Sequence, residues 1–250
     1  NHRSIPLKVR SLVGLTSLFA VHVIDQSLLS KVPEFYQRLK WFVTYQQKND
    51  HFLAIEINST GAILLSLAPK KRLEKILKAL LDENEFLSPG GIRSLSKIHE
   101  KPYVINIDGK EFGLNYEPGE SQTALFGGNS NWRGPVWMPI NYLTISALNK
   151  YFQFFDEDLL AEYPTHSGQS LNLKMVAGQL SQRLINNFTR NNEGKRKING
   201  GNTLLDENQY FDNLVLFYEY FHGDNGKGIG ASHQTGWTGL IAEIIRKNVD

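Results

Sequence analysis

A chain of 250 residues, 41% hydrophobic and 21% charged, is long enough for one large domain or two small ones, with about three quarters of its unfolded surface buried. Its 27 lysines and arginines and 25 acids are scattered along the chain, and the net charge of +2 leaves no electrostatic footprint for nucleic acid. The absence of cysteine excludes disulfides, thiolate metal sites and thiol nucleophiles, and apolar runs such as Ala62 to Ala68 fall short of the roughly 20 residues that span a bilayer.

The chain opens at Asn1 without a methionine or a signal-peptide layout, and we expect a C-terminal piece of a longer polypeptide. The triplets at Asn58 and Asn187 fit the N-glycosylation pattern, but two are expected by chance in a chain this size. Nothing sets a compartment, and the cytoplasm is the default.

From Lys8 to Val23, Val9, Leu12, Val13, Leu15, Leu18, Phe19 and Val23 recur at helical spacing and predict a buried helix. In KVPEFYQRLKWFVTYQQK, Pro33 suits a first turn and Phe35, Leu39, Phe42 and Tyr45 form the inward face, so the two segments predict a helical hairpin. PKKRLEKILKALLDENEF predicts an amphipathic helix with Leu73, Ile76, Leu77, Leu80 and Leu81 inward and its lysines solvated. The period then changes. Alternation from Pro102 to Tyr116 around Asp108-Gly109 predicts a β-hairpin insertion over about 101–118. Helical spacing returns from Pro135 to Phe154, Leu171 to Phe188, Glu207 to Phe221 and Gln234 to Val249, joined by glycine-rich links. This succession predicts a mainly α protein, a toroid of paired helices whose loops at one rim build a site, with an α-solenoid as the alternative.

Two stretches are dense in functional chemistry. In NSNWRGPVWMPIN, Asn129 to Asn141, Pro135 suits a helix start and Trp137, Met138, Ile140 and Leu143 suit a core, but Arg133 between Trp132 and Gly134 is left unexplained. In FYEYFHGDNGKGIGASHQTGWTG, Phe217 to Gly239, Glu219 ends an aromatic helical run; it is either a surface residue or a carboxylate tuned by aromatic walls for acid–base work. His222, Asp224 and His233 match no compact zinc spacing, GDNGKG lacks the ending of a phosphate loop, and no GxSxG elbow is present. Indoles combined with amides, a guanidinium and carboxylates are what sugar recognition needs: ring faces for pyranose C–H surfaces, planar polar groups for hydroxyls.

NSNWRGPVWMPINYL, followed by Glu219 and then by GIGASHQTGWTGLIA, resembles glycoside hydrolase family 63, the family of processing α-glucosidases and mannosylglycerate-type hydrolases. PLKVRSLVGLTSLFAV and the stretch from Gly90 to Trp137 resemble its bacterial and fungal-type branch, so the similarity covers nearly the whole chain. The resemblance implies an (α/α)6 barrel, of which residues 1–250 are the C-terminal portion, and cofactor-free, inverting hydrolysis of an α-glycosidic bond. By position, Glu219 matches the general base, Trp132, Arg133 and Trp137 the sugar-site wall, and His233, Gln234 and Trp237 the closing loop. The general acid is an aspartate on an earlier loop, expected before Asn1; Asp25 and Glu34 sit in barrel wall and do not replace it. The expected partners are a carbohydrate substrate and the missing N-terminal part, without which the chain is inactive. A non-catalytic carbohydrate-binding or helical scaffold protein is the alternative.

Overall fold

The computed structural model describes residues 6–48, 54–123 and 130–249. The expected start at Asn1, and Asn129 at the head of the first motif, lie outside them. Among the described residues the chain is mainly helical, with five small antiparallel sheets, and the helices do not close into a ring.

The first expected helix is not formed. Leu12–Leu18 is a 3-10 helix, followed by strand β1, Val21–Ile24. Leu12, Leu15 and Leu18, its buried residues, are spaced by three, which is the repeat of a 3-10 helix rather than an α-helix. A short α1, Gln26–Leu29, leads into α2, Pro33–Lys48. On α2 only Leu39 of the four expected inward residues is buried; Phe35, Phe42 and Tyr45 are exposed. In place of a helical hairpin, β1 pairs with β3, Ile63–Ser66, which also pairs with β2, Ala54–Ile57. The central strand of this sheet, β3, lies in the apolar run Ala62 to Ala68, and Ile24, Leu29, Leu39 and Ile63 form a small core between the sheet and α1 and α2.

Helix α3, Lys70–Leu80, buries Leu73, Ile76, Leu77 and Leu80, with Leu81 just beyond, as its spacing predicts. Two-residue strands β4, Leu87–Ser88, and β5, Gly91–Ile92, follow. The expected hairpin is formed by β6, Tyr103–Ile107, and β7, Lys110–Leu114; both turn residues take positive φ, 50° at Asp108 and 80° at Gly109, as a two-residue hairpin turn requires.

Helix α4, Met138–Phe155, starts three residues later than expected. Pro139, not Pro135, occupies its first turn, where a missing N–H is tolerated, and the Pro135 carbonyl accepts from Ser94 N at 2.9 Å. After the hairpin of β8, Leu160–Glu162, and β9, Ser170–Asn172, comes α5, Leu173–Phe188, capped by the Asn172 side chain on Met175 N. Leu148, Tyr151, Val176, Leu180, Leu184 and Ile244 join α4, α5 and α8, Leu240–Val249, in the main core.

The segment from Glu207 to Phe221 is not a helix. Helix α6, Thr203–Glu207, ends where that segment begins, and the chain reaches strand β10, Tyr220–Phe221, through turns. The adjacent residues Tyr220 and Phe221 are both buried, which a strand packed on two faces permits. Strand β10 pairs with β11, Gly228–Ile229, and a single turn, α7, Thr235–Thr238, precedes α8.

Candidate functional site

Three extended runs lie side by side. Val136 and Phe221 exchange backbone hydrogen bonds of 2.8 and 2.9 Å, joining the first motif to the second. Glu219 N donates to Ala231 O at 2.8 Å, Phe217 N to Ser232 O at 3.0 Å and Gln234 N to Phe217 O at 2.7 Å, folding the glycine-rich return back along the Glu219 segment.

This ladder assembles an aromatic stack. Trp132 and Trp137 lie face to face, centroids 4.0 Å apart and planes 1° from parallel; Tyr220 stacks on Trp137 at 4.7 Å, and Trp237 approaches it at 5.4 Å. Trp137 is 1% exposed, and its indole N–H donates to Asn131 O at 3.0 Å. Trp132 is half-buried and Trp237 is 40% exposed, so these two keep open surface.

Glu219 is half-buried beside the stack. Its Oε1 accepts from the Ser130 hydroxyl at 2.7 Å, and Oε2 lies 3.5 Å from Ala231 N. Gly230, at φ +74°, lies so close that a Cβ there would come within 2.7 Å of Oε2. The neighbouring Tyr220 hydroxyl is pushed up by burial and then by the negative charges of Glu219 and Glu120.

Arg133 is 1% exposed and turned into the preceding loop, where it pairs with Glu117 and donates to Ser121 Oγ and Thr123 Oγ1 at 2.6 Å each. Its Nε has no hydrogen-bond partner among the described residues. His233 is exposed, its Nδ1 2.9 Å from Ser232 Oγ, and Gln234 leads into α7 as its N-cap. Of the seven residues singled out in sequence, Trp132, Trp137, Trp237 and Glu219 gather around the ladder, Arg133 serves the loop behind it, and His233 and Gln234 lie on the return run.

A second network anchors the loop after β10. Arg93 Nη2 meets Asp224 Oδ1 at 3.0 Å, Arg93 Nε donates to the Tyr116 hydroxyl at 2.9 Å, and that hydroxyl donates to Asp224 Oδ1 at 3.0 Å. Burial opposes ionisation of Asp224, but the hydrogen bonds from Arg93 and Tyr116, with the charges of Arg93 and Lys97, hold its carboxyl below the ordinary range. Burial pushes His222 down, only partly offset by Asp224, and its Nδ1 accepts from Asp224 N at 3.1 Å. Asp224 and His222 therefore brace the loop. Sequence reading missed Ser130, Arg93 and Tyr116, whose partners Glu219 and Asp224 lie 89 to 131 positions away, and Glu117, which pairs with Arg133. All four stand between Gly90 and Trp137, with nothing in the spacing to join them to their partners.

A carboxylate beside open indole surface on a mainly helical scaffold is an arrangement suited to sugar recognition. Residues 28–238 match the mannosylglycerate hydrolase MGH1-like glycoside hydrolase domain, and the chain belongs to that family. It is 44% identical over 247 residues to uncharacterized protein YMR196W of Saccharomyces cerevisiae, covering 96% of this chain and 23% of that one. It is 28% identical over 184 residues to the mannosyl-oligosaccharide glucosidase of Saccharomyces cerevisiae, covering 72% of this chain and 16% of the relative. Identity with alpha-glucosidase 2 of Arabidopsis thaliana is 26% over 114 residues, 46% of this chain and 11% of the relative. The chain spans less than a quarter of the length of these relatives, and the family 63 resemblance carried by the two long motifs holds.

Proposed function

We propose that this chain is the C-terminal portion of a single (α/α)6 catalytic domain and that the complete protein hydrolyses an α-glucoside or α-mannoside with inversion. Glu219 is the general base: it takes a proton from water as the oxygen attacks the anomeric carbon opposite the leaving group. The general acid, an aspartate upstream of this chain, protonates the departing oxygen. The reaction calls for no cofactor.

The observation that carries this reading is the half-buried Glu219 carboxylate, held through one oxygen by Ser130, beside an aromatic stack with open indole surface. Trp132 and Trp237 offer ring faces to a pyranose, and Trp137 backs them from inside. Arg133 shapes the wall through loop 117–123, and His233 and Gln234 belong to the run that closes over the sugar.

Glu219→Gln in the full-length protein tests it. Turnover of α-glucosides or α-mannosides should disappear while sugar binding stays nearly intact. Unchanged turnover rejects Glu219 as the base; a wild-type protein that binds sugars and hydrolyses none is a binding module.

A further inference from the structure

We infer that Ser130 is a positioning residue for Glu219, fixing Oε1 so that Oε2 is presented to the attacking water. This rests on the reading of Glu219 as the general base. A glutamate has three rotatable side-chain bonds, and at a partly open site its carboxylate samples many orientations unless something holds it. A general base works when it lies within about 2.6–3.2 Å of the oxygen whose proton it removes.

The Ser130 Oγ to Oε1 distance of 2.7 Å is that of a charge-assisted O–H···O hydrogen bond, in which the hydroxyl donates. Ser130 is itself held in place. The next residue, Asn131, is fully buried; its amide donates to the carbonyls of Glu117 at 2.6 Å and Gly119 at 2.7 Å, and its side-chain oxygen accepts from Arg133 N at 2.9 Å. The Asn131 backbone carbonyl takes the Trp137 indole N–H at 3.0 Å. The Ser130 hydroxyl is thus anchored to the aromatic stack that flanks Glu219. On the opposite side the absence of a side chain at Gly230 leaves room for Oε2. Among the described residues, one oxygen is tethered and the other has only the long approach of Ala231 N.

The test uses the full-length protein with Ser130→Ala, Ser130→Thr and Glu219→Gln, and α-glucosyl and α-mannosyl fluoride as probes. Fluoride departs with little need of an acid, so its release reports the base side of the reaction. We expect Ser130→Ala to lower kcat about 10- to 100-fold, the effect of a lost hydrogen bond to a charged group, with KM within about twofold and Tm unchanged. Ser130→Thr, which keeps the hydroxyl, should recover most of kcat. Unimpaired kcat in Ser130→Ala while Glu219→Gln is inactive overturns the positioning role alone. So does a loss that Ser130→Thr does not recover. Full turnover in Glu219→Gln, or none of either fluoride by the wild type, overturns the base assignment and this inference with it.

Discussion

Trp132 lies flat on Trp137, 4.0 Å away and 1° from parallel, yet only Trp137 is sealed from solvent. The two indoles of one short motif therefore do different work. Trp137→Ala removes a fully buried ring and should destabilise the protein by about 3–5 kcal/mol in urea denaturation. Trp132→Ala should cost much less stability and, on the proposed function, weaken sugar binding. Equal stability losses in the two variants would contradict this division.

Gly230→Ala should impair turnover more than folding. The added methyl meets Glu219 Oε2 at 2.7 Å and must displace it, at a residue already in left-handed backbone. Displacing a catalytic group by about 1 Å costs on the order of a hundredfold, so on the proposed function kcat of the full-length protein should fall by about that factor. An unimpaired Gly230→Ala enzyme would mean that the carboxylate does not need this seat.

Glu117→Ala should destabilise strongly, because it leaves the Arg133 guanidinium buried and uncompensated. Removing one partner of a buried pair costs about 3–5 kcal/mol, and the double variant Glu117→Ala with Arg133→Met should recover part of it. Urea midpoints of the two variants measure both effects.

Stability should fall on acidification in two stages. The His222 pKa is lowered by folding, so the unfolded chain takes up that proton first: stability is complete above the ordinary histidine range and is lost as pH falls through the lowered folded value. Asp224 is also lowered, and its contribution is complete above the ordinary carboxylate range and lost as pH falls through its own lowered value. Asp224→Asn should be less stable near pH 7 and show a shallower loss below about pH 4. A wild-type urea midpoint that stays constant between pH 7 and 3 would refute the argument.

Where one local period ruled, sequence reading located the structure closely. Leu73, Ile76, Leu77 and Leu80 recur on one face of a charged helix, and Asp108-Gly109 turns a hairpin, because each pattern is decided by residues within a few positions. It failed where partners are distant. Val23 looked helical until β3, some forty positions later, supplied its hydrogen bonds, and Glu219 looked helical until Val136 and Ala231 paired with its segment.

The sequence by itself determined the family, through the resemblance carried by its two long motifs, the place of Glu219 among aromatics, and the helices α2 to α5, through their local period. Only the tertiary structure decided that Trp137 is a buried support, that Arg133 faces Glu117 and that Ser130 holds Glu219. The physical reason is that a hydrogen bond or an ion pair depends on separation in space, and between Ser130 and Glu219 the 89 positions of chain carry no local signal of it.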